Sequence, residues 1–86
     1  MADVTVYSTT MCPFCDGAKA LLRKRGVEFT EVNMTRSADD RDKLTALTGG
    51  WSFPQVVING NVVGGFDELR AVDRAGKLDD LLALPN

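Results

Sequence analysis

Apolar and polar residues alternate over Val4-Thr5-Val6-Tyr7, the period-two signature of a half-buried strand. A few residues later the period changes, with Ala18, Leu21 and Leu22 recurring at helical spacing, so a helix follows and runs to about Arg25 before Gly26 closes it. Arg23, Lys24 and Arg25 fall in its last turn, where positive charge complements the dipole, and read as a cap and a solvated face. Residues 27–32 alternate again and predict a second strand. Strand, helix and strand within about 30 residues form a βαβ unit, so the first two strands should be parallel with a right-handed crossover. Ser37 followed by Asp40 has the spacing of a capping box with Asp in place of Glu. It predicts a second helix through about Thr48 that turns Leu44 and Leu47 to the core and ends at Gly49-Gly50. Two apolar runs, 55–58 and 61–63, flank Asn59-Gly60, a pair that fits the left-handed positions of a type I′ hairpin. Gly64-Gly65 breaks the fourth strand, and Phe66-Asp67-Glu68 opens a last helical region through Asp73 or Arg74. Past Gly76, Leu78, Leu81, Leu82 and Leu84 form an apolar tail before Pro85. The order β-α-β-α-β-β-α predicts an α/β fold, a four-stranded mixed sheet with helices on both faces.

Length and charge narrow the possibilities. The 86 residues make one domain, 1–86, able to bury roughly 60–65% of the unfolded chain's surface, so any pocket should be shallow. A formal net charge of −2, without a basic tract or basic-aromatic interleaving, argues against a nucleic-acid partner. No apolar run approaches a membrane span, and Met1-Ala2-Asp3 begins no secretory signal, so a soluble, cytoplasmic protein with no membrane partner is expected. In a reducing compartment a lone cysteine pair is more often catalytic than a staple. The absence of histidine excludes serine-histidine and cysteine-histidine hydrolase arrangements.

The chemistry therefore falls on Met11-Cys12-Pro13-Phe14-Cys15, where the first strand hands over to the first helix. A thiol at position 12 would meet the unpaired N–H groups and positive dipole end of that helix, which favour thiolate and lower the cysteine pKa. Cys15, three residues on, faces roughly the same way and could resolve a mixed disulfide formed on Cys12. Pro13 suits the first turn, because its missing N–H would have been unpaired there and its φ is already helical. On the residues alone, a structural disulfide and half of a zinc site stay open. Zinc requires about four ligands, and two cysteines would have to borrow carboxylates or a second chain.

Cys12-Pro13-Phe14-Cys15, Ser52-Phe53-Pro54-Gln55-Val56 and Gly64-Gly65-Phe66-Asp67 together make the chain resemble the dithiol glutaredoxins of the thioredoxin superfamily from end to end. The resemblance implies a thioredoxin-like fold and a monomeric thiol-disulfide oxidoreductase, with glutathione as co-substrate and no tightly bound cofactor or metal. Implied substrates are protein disulfides and protein-glutathione mixed disulfides, with ribonucleotide reductase among the possible clients. It also implies a cis peptide before Pro54 and a glutathione pocket carried over by position. Cys12 would form the mixed disulfide, with Phe14 beside the pocket and the Phe53 backbone pairing with the cysteinyl part. Pro54 would wall the pocket, Gly65 and Phe66 would allow close backbone approach, and Asp67 would face the γ-glutamyl amine. Two positions depart from the family. Thr9 is neutral where lysine or arginine is usual, leaving Arg41 or Arg36 as the candidate source of positive charge. Phe66 replaces a small polar residue and, with Phe14, Trp51 and Phe53, implies an apolar rim suited to a protein substrate. Two alternatives accompany this reading: a glutaredoxin-like donor reduced by thioredoxin reductase, and a glutathione-assisted [2Fe–2S] carrier in which Cys12 of two chains holds the cluster.

Overall fold

The computed structural model describes residues 2–83; Leu84 and Pro85 of the expected tail lie outside them. The elements are β1 (Val4–Ser8), α1 (Pro13–Lys24), β2 (Thr30–Asn33), α2 (Ala38–Thr48), β3 (Gln55–Ile58), β4 (Asn61–Gly64), α3 (Phe66–Arg74) and α4 (Leu78–Ala83). They form a thioredoxin-like fold around one four-stranded sheet of order β2-β1-β3-β4. β1 runs parallel to β2 and antiparallel to β3, and β3 pairs antiparallel with β4, so the sheet is mixed as the element order requires.

Val4 and Val6 on β1 and Val56 and Ile58 on β3 turn one face of the sheet inward. Ala18 and Leu22 of α1, Leu69 of α3 and Leu78 of α4 cover that face, which places α1 and α3 side by side. Burying an aliphatic side chain of this size contributes roughly 1.5–3 kcal/mol, so this cluster dominates the packing. A bidentate ion pair adds to the contact between the two helices: Arg25 Nε and Nη2 donate to the two carboxylate oxygens of Asp73 at 2.8 and 2.9 Å. Arg25 is thus a tie to α3 rather than part of a purely solvated face.

Two further expectations need correction. The second strand starts at Thr30, because the chain is still closing α1 when it reaches Val27. Gly26 sits at φ 71°, and the Val27 N–H is donated to the Leu22 carbonyl at 2.9 Å, so it cannot join the ladder. Val27 and Phe29 pack on the core from this connector. Leu47 is 57% exposed, and Leu44 alone of the α2 side chains is buried. The positions three and four before Leu44 are Arg41 and Asp40, so no apolar stripe extends along α2 and the helix seats through one side chain.

The Ser37 cap forms, its Oγ accepting from Asp40 N at 3.2 Å, but the box does not close on itself. The Asp40 carboxylate instead accepts the Thr35 N–H at 2.7 Å and the Thr35 hydroxyl at 2.8 Å. The hairpin has its expected turn, with Asn59 at φ 50° and Gly60 at φ 80°. Asn59 does more than turn. Its Oδ1 accepts the Asp3 N–H at 2.8 Å, while its Nδ2 donates to the carbonyls of Leu81 and Leu82, joining the start of β1 to α4.

Candidate active site

β1 delivers the chain to the helix start through Met11, which has φ 53° and is almost fully exposed. Cys12 then takes an extended conformation as the N-cap of α1, and Pro13 begins the helix. The Cys12 Sγ accepts the Cys15 N–H at 3.2 Å, filling the role of a capping oxygen and pointing a backbone dipole at sulfur. Cys12 and Cys15 are joined in a disulfide, with Cα atoms 5.2 Å apart. Cys15, in the first turn of α1, is fully buried, whereas Cys12 keeps 8% of its surface, so solvent and substrate reach Cys12 first.

An open groove of about 250 Å³ meets the pair at Phe14, the residue before Cys15, with neither cysteine in its lining. Its lining comes from three places distant in sequence: Phe14 on α1, Ser52-Phe53-Pro54 before β3, and Gly65-Phe66-Asp67-Glu68 at the start of α3. The Phe53–Pro54 peptide is cis, and Pro54 is buried. All six pocket positions expected from the sequence therefore meet in one groove. Ser52 and Glu68 were not expected there. Glu68 had a legible signal, since it stands three residues after Gly65 at capping-box spacing, and its Oε1 accepts the Gly65 N–H at 3.1 Å. A Cβ on Gly64, which sits at φ 116°, would fall 2.9 Å from that same Oε1, so the bend into α3 requires glycine.

The rim is aromatic and basic. Phe14 and Phe66 lie with ring centroids 6.4 Å apart, and the Arg70 guanidinium stacks on Phe66 at 5.4 Å while approaching Asp67 to 3.8 Å. Thr9 is buried and neutral. Arg36 Nη2 donates to the Met11 carbonyl at 3.3 Å, and Arg41 Nη1 donates to the Trp51 carbonyl at 3.1 Å. Both arginines thus hold loops that border the cysteines. Sequence reading also missed a polar strut between α1 and β2. Lys19 Nζ donates to Glu31 Oε2 at 2.7 Å, and the buried Ser8 hydroxyl donates to the same oxygen at 2.6 Å. These two bonds, Lys19 first, hold the Glu31 carboxyl below its ordinary value.

A cysteine pair at a helix start, facing a cis-proline loop on this sheet, defines a dithiol oxidoreductase of the thioredoxin-like class. The family model described as glutaredoxin matches residues 4–63, and the chain belongs to the glutaredoxin family. A glutaredoxin of Pseudomonas aeruginosa is 42% identical over 83 residues, covering 96% of this chain and 99% of the relative. Among solved structures, the glutaredoxin of Brucella melitensis superposes with a TM-score of 0.82 at 41% identity, covering 95% of this chain and 89% of that one. A buckwheat glutaredoxin-glutathione complex gives the same TM-score at 28% identity, covering 94% of this chain and 76% of the other. The activity is the glutathione-dependent thiol-disulfide oxidoreduction of dithiol glutaredoxins.

Proposed function

We propose that Cys12 is the nucleophile, that Cys15 is the resolving thiol, and that glutathione occupies the groove bounded by Phe14, Phe53, Pro54, Gly65, Phe66 and Asp67. The convergence of these six residues beside the more accessible cysteine carries the reading. The Phe53 backbone pairs with the cysteinyl part of the ligand, as an added strand pairs with a sheet edge. Asp67 faces the γ-glutamyl ammonium. Arg41 or Arg36 supplies the positive charge for a ligand carboxylate in place of the neutral Thr9.

On a protein-glutathione mixed disulfide, the Cys12 thiolate attacks the glutathione sulfur and the protein thiolate leaves. A second glutathione thiolate then attacks the glutathione sulfur on Cys12, releasing oxidised glutathione and restoring the Cys12 thiolate. On a protein disulfide, Cys12 takes one client sulfur and the other leaves as thiolate. Cys15 then attacks Cys12, freeing the client dithiol and closing the internal disulfide. The dithiol gives up the two electrons that the client gains. The working form is a monomer in a reducing compartment such as the cytoplasm, and ribonucleotide reductase is a client of the right disulfide type.

A coupled NADPH assay of wild type, Cys15→Ser and Cys12→Ser tests this, run once with glutathione plus glutathione reductase and once with thioredoxin reductase alone. Cys15→Ser is expected to keep turnover of glutathionylated substrates and to lose protein-disulfide reduction, while Cys12→Ser loses both. Wild-type turnover with thioredoxin reductase only would overturn the glutathione assignment.

A further inference from the structure

A glycine within a helix weakens it, and Gly17 stands in the second turn of α1. Its φ does not require glycine; the reason lies across the groove. A Cβ at Gly17 would sit 3.2 Å from Phe66 Cζ and 3.3 Å from Cε1 and Cε2, so the outer edge of the Phe66 ring rests on the bare backbone of α1. The ring is held on two further sides, by Phe14 and by the Arg70 guanidinium. Phe66 therefore reaches from the start of α3 to α1 as a fixed apolar wall, half-exposed to the groove, and it does so because Gly17 has no side chain.

We propose that the Gly17–Phe66 pair sets client specificity, with the Phe66 ring receiving an apolar side chain two residues before the client's disulfide cysteine. The inference rests on the groove assignment above and names the substrate class of that site. In an extended client paired with Phe53, alternate residues share a face. The residue two positions from the cysteine therefore points to the same side of the sheet as Cys12, the side on which α1 and α3 pack. In the groove assignment above, Asp67 takes the γ-glutamyl ammonium and so sets the amino-terminal direction of a bound chain, and Phe66 stands next to it in the lining. Glutathione has no residue at that position, so the wall favours protein disulfides over glutathione itself.

The test is single-turnover oxidation of the pre-reduced protein by homodisulfides of short cysteinyl peptides. Cys12 attacks one peptide sulfur and expels a peptide thiolate; Cys15 then displaces the second, so two protein thiols become a disulfide and two peptide thiols form. Wild type should prefer Phe over Ser two residues before the cysteine by about tenfold, the effect of burying part of one apolar side chain. It should show no such preference one residue before. Phe66→Ser should bring the ratio near one, and Gly17→Leu, a good helix former that displaces the ring, should do the same. The double variant should lose nothing more. A ratio unchanged in Phe66→Ser, or losses that multiply in the double variant, would each overturn the proposal. Glutathione is not the reductant in this assay, so failure of glutathione-driven turnover with the peptide ratio intact would count against the reductant assignment alone.

Discussion

At Cys12 the helix start supplies most of what the nucleophile needs. The Cys15 N–H points at its sulfur, and the first-turn dipole favours the anion. Thr9, just before the pair, adds no charge to this, being neutral and buried. Arg36 ties a basic group to this loop, donating to the carbonyl of the residue before Cys12. Reduced Cys15→Ser protein should therefore show thiolate absorbance at 240 nm rising well below the ordinary thiol range near about 8.5. Arg36→Gln should move that rise upward, lowering the thiolate-to-thiol ratio about two- to fivefold, the size of an exposed charge interaction of roughly 0.4–1 kcal/mol. Arg36→Lys should restore it, and salt should shrink the difference. If Arg36→Gln and wild type titrate together at low salt, the arginine only fastens the loop.

Between elements, the helices differ in how firmly they are held. α1 and α3 share a leucine-rich core and the Arg25–Asp73 pair, whereas α2 rests on Leu44. The hydrogen bonds from Arg25, and then its charge, hold the Asp73 carboxyl below its usual range. Such a depressed value stabilises the fold at pH values above the free carboxyl pKa of about 3.9, and that contribution is lost as pH falls through the lower folded value. Asp73→Asn should thus lower the melting temperature at neutral pH by at most a few degrees, since the Arg25 end of the pair is open to solvent. The gap should narrow as the pH falls below the free carboxyl value and through the lower folded one. A gap that persists there would mean that Asp73 acts through shape rather than charge. These ties also explain what could be read in advance. The order of elements was legible because local period and turn chemistry agree along the chain, most clearly at Asn59-Gly60. Leu47 and the start of β2 were misread because periodicity does not report where a helix meets the sheet, or that Val27 spends its N–H on closing α1.

For the whole molecule, the fold's contribution is to bring three short motifs to one end of the sheet. The motifs could be read singly, and their meeting around one groove followed from the resemblance. The Gly17–Phe66 contact could not be read, because a glycine inside a helix has no pattern that names its distant partner. The same assembly sets the redox poise. Every interaction that favours the Cys12 thiolate stabilises the dithiol form and makes the disulfide a stronger oxidant. Here the helix start acts with a loop-bound arginine to help, and the potential is expected in the glutaredoxin range of about −200 to −230 mV, above thioredoxin near −270 mV. Because about 30 mV corresponds to 1.4 kcal/mol for this two-electron couple, loss of the Arg36 charge should lower it by roughly 10–20 mV. Equilibration of wild type and Arg36→Gln with glutathione buffers at neutral pH measures both values. A wild-type potential below that of thioredoxin would instead suit a protein reduced by thioredoxin reductase. An Arg36→Gln potential equal to wild type, in a protein whose thiolate titration had shifted, would break the link between thiolate stability and redox poise.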